Sequence, residues 1–169
     1  MNTAPEIDSD SFDIEDSDDI IGLAKTLVDG RHPGLLCTVN LEGKPEVRWM
    51  STLSFDDFPI IHTLTGPDSR KVAEIKQRPD VNWMFSNHDR SLILNLIGRA
   101  RVITDTPTLK RVWKQVEDKS HAYFLDQYAK GPGFVVIETT VEAIECTSPK
   151  NGFRFAVKPS ELARAHYPI

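Results

Sequence analysis

The run His62-Thr63-Leu64-Thr65-Gly66-Pro67-Asp68-Ser69-Arg70-Lys71 reads as the end of a strand, a Gly-Pro turn and the start of a helix. The helix is expected over residues 68–77. It must stop near Pro79, whose ring disfavours helical backbone at Arg78. Arg70 and Lys71 fall in its first turn. Two cations there oppose the macrodipole, whose N-terminus is positive, at about 0.3 kcal/mol or more each. A bound anion reverses the sign of that cost: free amide N–H groups, the Ser69 hydroxyl and the two cationic heads can converge on a phosphate. The alternative is a surface helix with two solvated bases.

Working outward, strands surround this turn. Residues 35–40 and 45–54 form a hairpin through Glu42-Gly43-Lys44, and 58–64 leads into the quoted run. Residues 81–85, 91–103 and 134–146 continue the pattern, with Asn87-His88-Asp89 as a turn, and 153–157 alternates as a short last strand. A first helix fits 17–28, with Ile20, Ile21, Leu23, Ala24, Leu27 and Val28 on one face, Ser17 or Asp18 as cap and Gly30 beyond its end. Helical sequence returns at 106–116, with Pro107 in the first turn, and at 121–128 before Gly131-Pro132-Gly133. About six strands with attached helices predict a mainly β (α+β) antiparallel barrel, whose closure would remove exposed strand edges.

The 169 residues, 40% hydrophobic and 27% charged, fit one domain. Residues 1–19 hold eight acids and no Lys or Arg, while the remaining 17 acids face 20 bases. Residues 1–16 are therefore expected to be an acidic disordered tail, and 17–169 a single domain. The mildly basic body suits a small anion and is too weakly charged for nucleic acid, whose basic and aromatic residues would interleave on one strand face. No apolar run is long enough for a membrane and no signal-peptide pattern opens the chain, so the expected compartment is the cytoplasm. Cys37 and Cys146 lie apart in apolar strands and read as reduced core thiols. The five histidines form no metal-ligand spacing, and no metal is assigned. Trp83 and Trp113 read as core or dimer-interface residues.

A second stretch, Val47-Arg48-Trp49-Met50-Ser51-Thr52, alternates so that Arg48, Met50 and Thr52 share one face and Trp49, Ser51 and Leu53 the other. Arg beside Trp can hold a planar electron-rich ligand, or form a cross-strand cation–π pair.

With both stretches in view, the chain resembles the pyridoxamine 5'-phosphate oxidase-like FMN-binding split barrels, of the general stress protein 26 type. The resemblance rests on Arg48 with the three residues after it, His62-Thr63, Ser69-Arg70-Lys71, Arg78-Pro79, the strand 81–85 and Leu96-Ile97-Gly98-Arg99-Ala100, in order over residues 30–147. It implies an antiparallel split β-barrel and FMN as cofactor, with FAD as a variant. Ser69, Arg70 and Lys71 would hold the phosphate. Arg48, Trp49, Met50 and Ser51 would run along the isoalloxazine ring, with His62 and Thr63 against the ring or ribityl chain. It also implies a homodimer with the flavin near the subunit interface.

The departures concern the vitamin-B6 substrate. Leu53 stands where the oxidase has a lysine, and Ile93 near its glutamine, with Asn95 on the same face. The C-terminal Arg-Leu-His-Asp-Arg type of signature is replaced by Phe153-Arg154-Phe155-Ala156-Val157-Lys158. The resemblance therefore implies a retained cofactor site and a lost pyridoxamine phosphate oxidase activity. The leading expectation is an FMN-dependent oxidoreductase with a stress-related role, since a flavin carries redox chemistry without a visible acid–base dyad. Its rivals are a non-catalytic flavin-binding stress protein and a related barrel using haem or deazaflavin.

Overall fold

Asp16 opens helix α1 (Ser17–Leu27) with a capping box: its carboxylate accepts from the Asp18 and Asp19 amides, and the Asp19 side chain accepts from the Asp16 amide. The cap thus lies one residue before the expected Ser17. Ile14, two residues earlier still, packs against the core. The computed structural model describes residues 14–53, 57–118, 128 and 133–166, without the side chains of 164–166. Residues 1–13, and most of the helix expected over 121–128, lie outside the described residues.

Among the described residues seven strands follow: β1 (Gly34–Val39), β2 (Pro45–Met50), β3 (Ile60–Thr65), β4 (Asp80–Ser86), β5 (Ile93–Ile103), β6 (Val135–Ser148) and β7 (Phe153–Val157). They form one antiparallel sheet in the order β2-β1-β4-β5-β6-β3, with β7 also on β6. Helix α2 (Arg70–Gln77) joins β3 to β4, α3 (Thr106–Asp118) follows β5, and α4 (Pro159–His166) follows β7. The fold is α+β, as expected.

Closure is the point of difference. Among the described residues the end strands β2 and β3 share no ladder. They meet only at a bridge between Leu53 and His62, where the Leu53 amide donates to the His62 carbonyl at 2.9 Å. The barrel is split because the chain leaves the ladder at Met50, before the expected end of the second hairpin arm.

One face of the sheet packs on α1, α2 and α4 through Ile20, Leu23, Leu27, Ile75 and Leu162, around Trp83, Phe85, Leu94 and Leu96. Trp83 is fully buried and its indole N–H donates to Thr139 Oγ1 at 3.1 Å, so it is a core residue. Helix α3 covers part of the opposite face through Val112 and Val116, against Leu64, Ile103 and Val136. The sheet bends at Gly98, where the β5–β6 register shifts. A Cβ there would lie 2.1 Å from the Thr140 carbonyl oxygen, so only glycine permits the approach.

Candidate functional site

The split places the end of β2 beside the end of β3 and the start of α2. Thr63 Oγ1 donates to the Ser51 carbonyl at 2.6 Å, and this bond with the Leu53–His62 bridge fixes the chain just past β2 against β3. The result is a cavity of about 220 Å³ lined by Pro33, Trp49, Met50, Ser51, Leu64, Thr65, Lys71 and Tyr128.

Four of the expected site residues, Trp49, Met50, Ser51 and Lys71, therefore meet in one place although they come from two separate stretches. Lys71 Nζ donates to Thr65 Oγ1 at 3.0 Å, and Thr65 Oγ1 donates to Ser69 Oγ at 3.2 Å. Ser69 is the N-cap of α2, yet its hydroxyl makes no bond to the helix. The first turn contains no acid, and the amides of Arg70 and Lys71 precede the first intrahelical acceptor. Burial holds the Lys71 ammonium below the ordinary lysine range. The positive charges of Arg48 and Arg70 add to that effect, against Glu74. Hydroxyls, ammonium and free amides form a donor set of the kind that binds a phosphate monoester. Trp49, Met50, Leu64 and Tyr128 supply apolar walls for a ring.

The other expected residues lie around the cavity. Arg70 is 84% exposed and reaches Glu46 at 3.6 Å. Thr63 is buried under the cavity, holding Ser51. His62 is buried, with Nε2 3.0 Å from Glu138 Oε2; Arg101 Nε donates to the other oxygen of that carboxylate at 2.7 Å. Burial pushes the Glu138 carboxyl up, but its bonds to Arg101 and His62 outweigh this and leave it below the usual range. Arg48 points into an ion-pair network: Nη1 donates to Thr38 Oγ1 at 2.6 Å, and Nη2 lies 3.2 Å from both Glu46 and Glu74.

Pro33, Leu64, Thr65 and Tyr128 were not separated from their neighbours by sequence reasoning. Thr65 alone had a signal, as a hydroxyl in the last strand position before Gly66-Pro67. Among the described residues no cluster of three His, Cys, Asp or Glu could hold a metal. Among the described residues no helix is long and apolar enough to cross a membrane. Both cysteines are free thiols, Cys146 buried and Cys37 half-buried.

The sheet face opposite the main core is bare at its β2 end. Two cross-strand rows run over it, Trp49–Leu35–Met84–Asn95 and Val47–Cys37–Asn82–Ile97. Val47 and Trp49 are 60% and 69% exposed. Trp49 thus belongs both to this face and to the cavity wall.

Residues 22–148 match the family model described as pyridoxamine 5'-phosphate oxidase. No curated protein shows significant similarity. Among solved structures, a Clostridium acetobutylicum protein related to general stress protein 26 superimposes with TM-score 0.70 at 17% identity, covering 87% of this chain and 99% of that one. A haem-binding protein from Mycobacterium smegmatis gives TM-score 0.65 at 13% identity over 83% of this chain and 58% of that one. An F420 reductase gives TM-score 0.54 at 20% identity, covering 71% and 94%. At these identities the structures share the fold.

Proposed function

The chain belongs to the pyridoxamine 5'-phosphate oxidase family, and from that premise we propose that it binds a flavin nucleotide, FMN in preference to FAD. It does so as a cytoplasmic homodimer and acts as an oxidoreductase with a stress-related role. The single observation that carries this reading is the convergence of β2 and α2 on one cavity around a half-buried, partly destabilised Lys71. Among the described residues no anion is hydrogen-bonded to Lys71 or to the first-turn amides; a phosphate would supply one, and the donor set supports a nucleotide monophosphate. Ser69, Arg70 and Lys71, with Thr65, would hold the phosphate. Trp49, Met50 and Ser51 would lie along the ring, with Thr63 and His62 supporting that wall from β3. The bound flavin would supply electron and hydride transfer, while the protein binds and orients it.

The dimer is supported by size and surface. A cavity of about 220 Å³ falls below the roughly 300–1,000 Å³ of sites that enclose a cofactor-sized ligand. That size supports a site completed by a second chain. The bare rows through Trp49 and Val47 adjoin the cavity and suit a second copy of the same face. Vitamin-B6 oxidation is not part of the proposal: Leu53, in the oxidase lysine's place, is 3% exposed and committed to its bridge with His62.

The test is the visible spectrum of the purified protein, then titration of apo protein with FMN. Saturable quenching of flavin fluorescence at micromolar concentration is expected. No saturation by about 100 μM, weaker than about −5.5 kcal/mol, would overturn the reading. A Soret band, or preferential binding of a deazaflavin, would favour the chemistry named for the haem-binding and F420 neighbours. Reduction of the bound flavin by NADH or NADPH separates an oxidoreductase from a non-catalytic flavin carrier.

A further inference from the structure

β2 is an edge strand, half-exposed or exposed along its whole length, so little apolar burial holds it in place. Yet it carries the ring side of the cavity, while the phosphate side stands on α2. What ties the two together is polar. Glu74, three residues beyond Lys71 on α2, is 3% exposed. It accepts from Thr38 Oγ1 of β1 at 2.5 Å and from Arg48 Nη2 of β2 at 3.2 Å. Both terminal nitrogens of Arg48 are engaged: Nη1 by Thr38, Nη2 by Glu74 and Glu46. A carboxylate buried to this degree is tolerated only with its cation in place.

We propose that Arg48 and Glu74 are a positioning pair for the cofactor site. Their ion pair sets the separation between the ring strand and the phosphate helix, and Arg48 serves the site through Glu74 instead of by contact with the cofactor. The proposal rests on the flavin reading above and departs from it at Arg48, which the family resemblance would place on the cofactor.

The two roles predict opposite signs for Glu74→Gln. If Arg48 were a direct cofactor ligand, removing its internal competitor would tighten FMN. If the pair positions the two walls, FMN affinity falls at least tenfold at a temperature well below melting. Inorganic phosphate, which needs only the α2 side, still competes as well as with the wild type or better, since a negative charge has gone. Arg48→Met should match that loss, Arg48→Lys should recover to within about threefold of wild type, and Arg48→Met/Glu74→Met should be no worse than the worse single variant. Tighter FMN binding in Glu74→Gln, additive losses in the double variant, or parallel loss of FMN and phosphate would each overturn the proposal. If the wild type binds no flavin, the flavin reading fails first, and amide hydrogen exchange then tests the pair alone. Glu74→Gln should speed exchange in both 45–50 and 70–77 while 135–148 stays protected; faster exchange in 70–77 only would overturn it.

Discussion

Replacing Lys71 by Met should separate ligand affinity from protein stability. In the folded chain the Lys71 ammonium is half-buried and hydrogen-bonded to the neutral Thr65, and burial with the charges of Arg48 and Arg70 outweighs the opposing charge of Glu74. A phosphate bound at the start of α2 would give it a charge-assisted hydrogen bond, worth about 1.5–3 kcal/mol. FMN should therefore bind roughly ten- to a hundredfold more weakly to Lys71→Met, while riboflavin, which lacks the phosphate, should change little. Arg70 is 84% exposed and already near Glu46, so Arg70→Ala should cost only about 0.2–1 kcal/mol. Stability of the apo protein should move the other way. The lowered Lys71 pKa means that the unfolded chain holds that proton more tightly than the folded one. Charged Lys71 thus penalises the fold at neutral pH, and the penalty is relieved as pH rises toward the ordinary lysine range. Lys71→Met should keep or slightly raise apo stability and flatten that alkaline gain. Fluorescence titration with both flavins and urea melts at two pH values give the answer. Equal losses for FMN and riboflavin, or a destabilised apo protein, would refute the phosphate argument.

Three further outcomes are expected. Trp49→Lys on the bare sheet face should convert a species of twice 19.1 kDa into monomer by light scattering and weaken flavin binding with it; an unchanged dimer would place the interface elsewhere. Deleting residues 2–12 should leave the melting temperature unchanged, whereas Asp16→Ala removes the α1 cap and should cost about 1 kcal/mol, or about 2–4 °C at this size. Gly98→Ala must displace the Thr140 carbonyl and should lose about 1–3 kcal/mol or more by denaturant melts; a neutral result would mean that the β5–β6 bulge slides freely.

Most elements were legible because their signals are local. The Glu42-Gly43-Lys44 turn, with Gly43 at φ +85°, announces the β1–β2 hairpin. Arg78-Pro79 ends α2, and alternation marks β4, β5 and β7. The features that escaped depend on partners far along the chain. Helix α4 is short and follows directly on β7, so its pattern was lost in the tail. The α1 cap lay among several adjacent acids and serines, any of which could serve. In the site, Ser69-Arg70-Lys71 stood out through the clash of its two cations with the helix dipole, a purely local conflict. The engagement of Arg48 did not show, because its partners Thr38 and Glu74 lie ten residues before it and 26 after it. Glu74 reads as one more solvent-facing acid on a helix until the tertiary structure buries it.

The strand order also dictates when the site comes into being. β1–β2 and β4–β5 are neighbours in sequence and can pair as soon as each is made. β3 has no such neighbour. Its one ladder is with β6, joining Ile60 to Thr140 across 80 residues, a contact whose loop-closure entropy must be met late. On the ribosome, the β3 ladder therefore cannot form until residues 135–140 have emerged. Thr63 can reach Ser51 locally, but β3 is fixed in the sheet only when it pairs with β6. A chain interrupted before β6 keeps Arg48 to Ser51 and Ser69 to Lys71 but lacks the ladder that holds β3 between them.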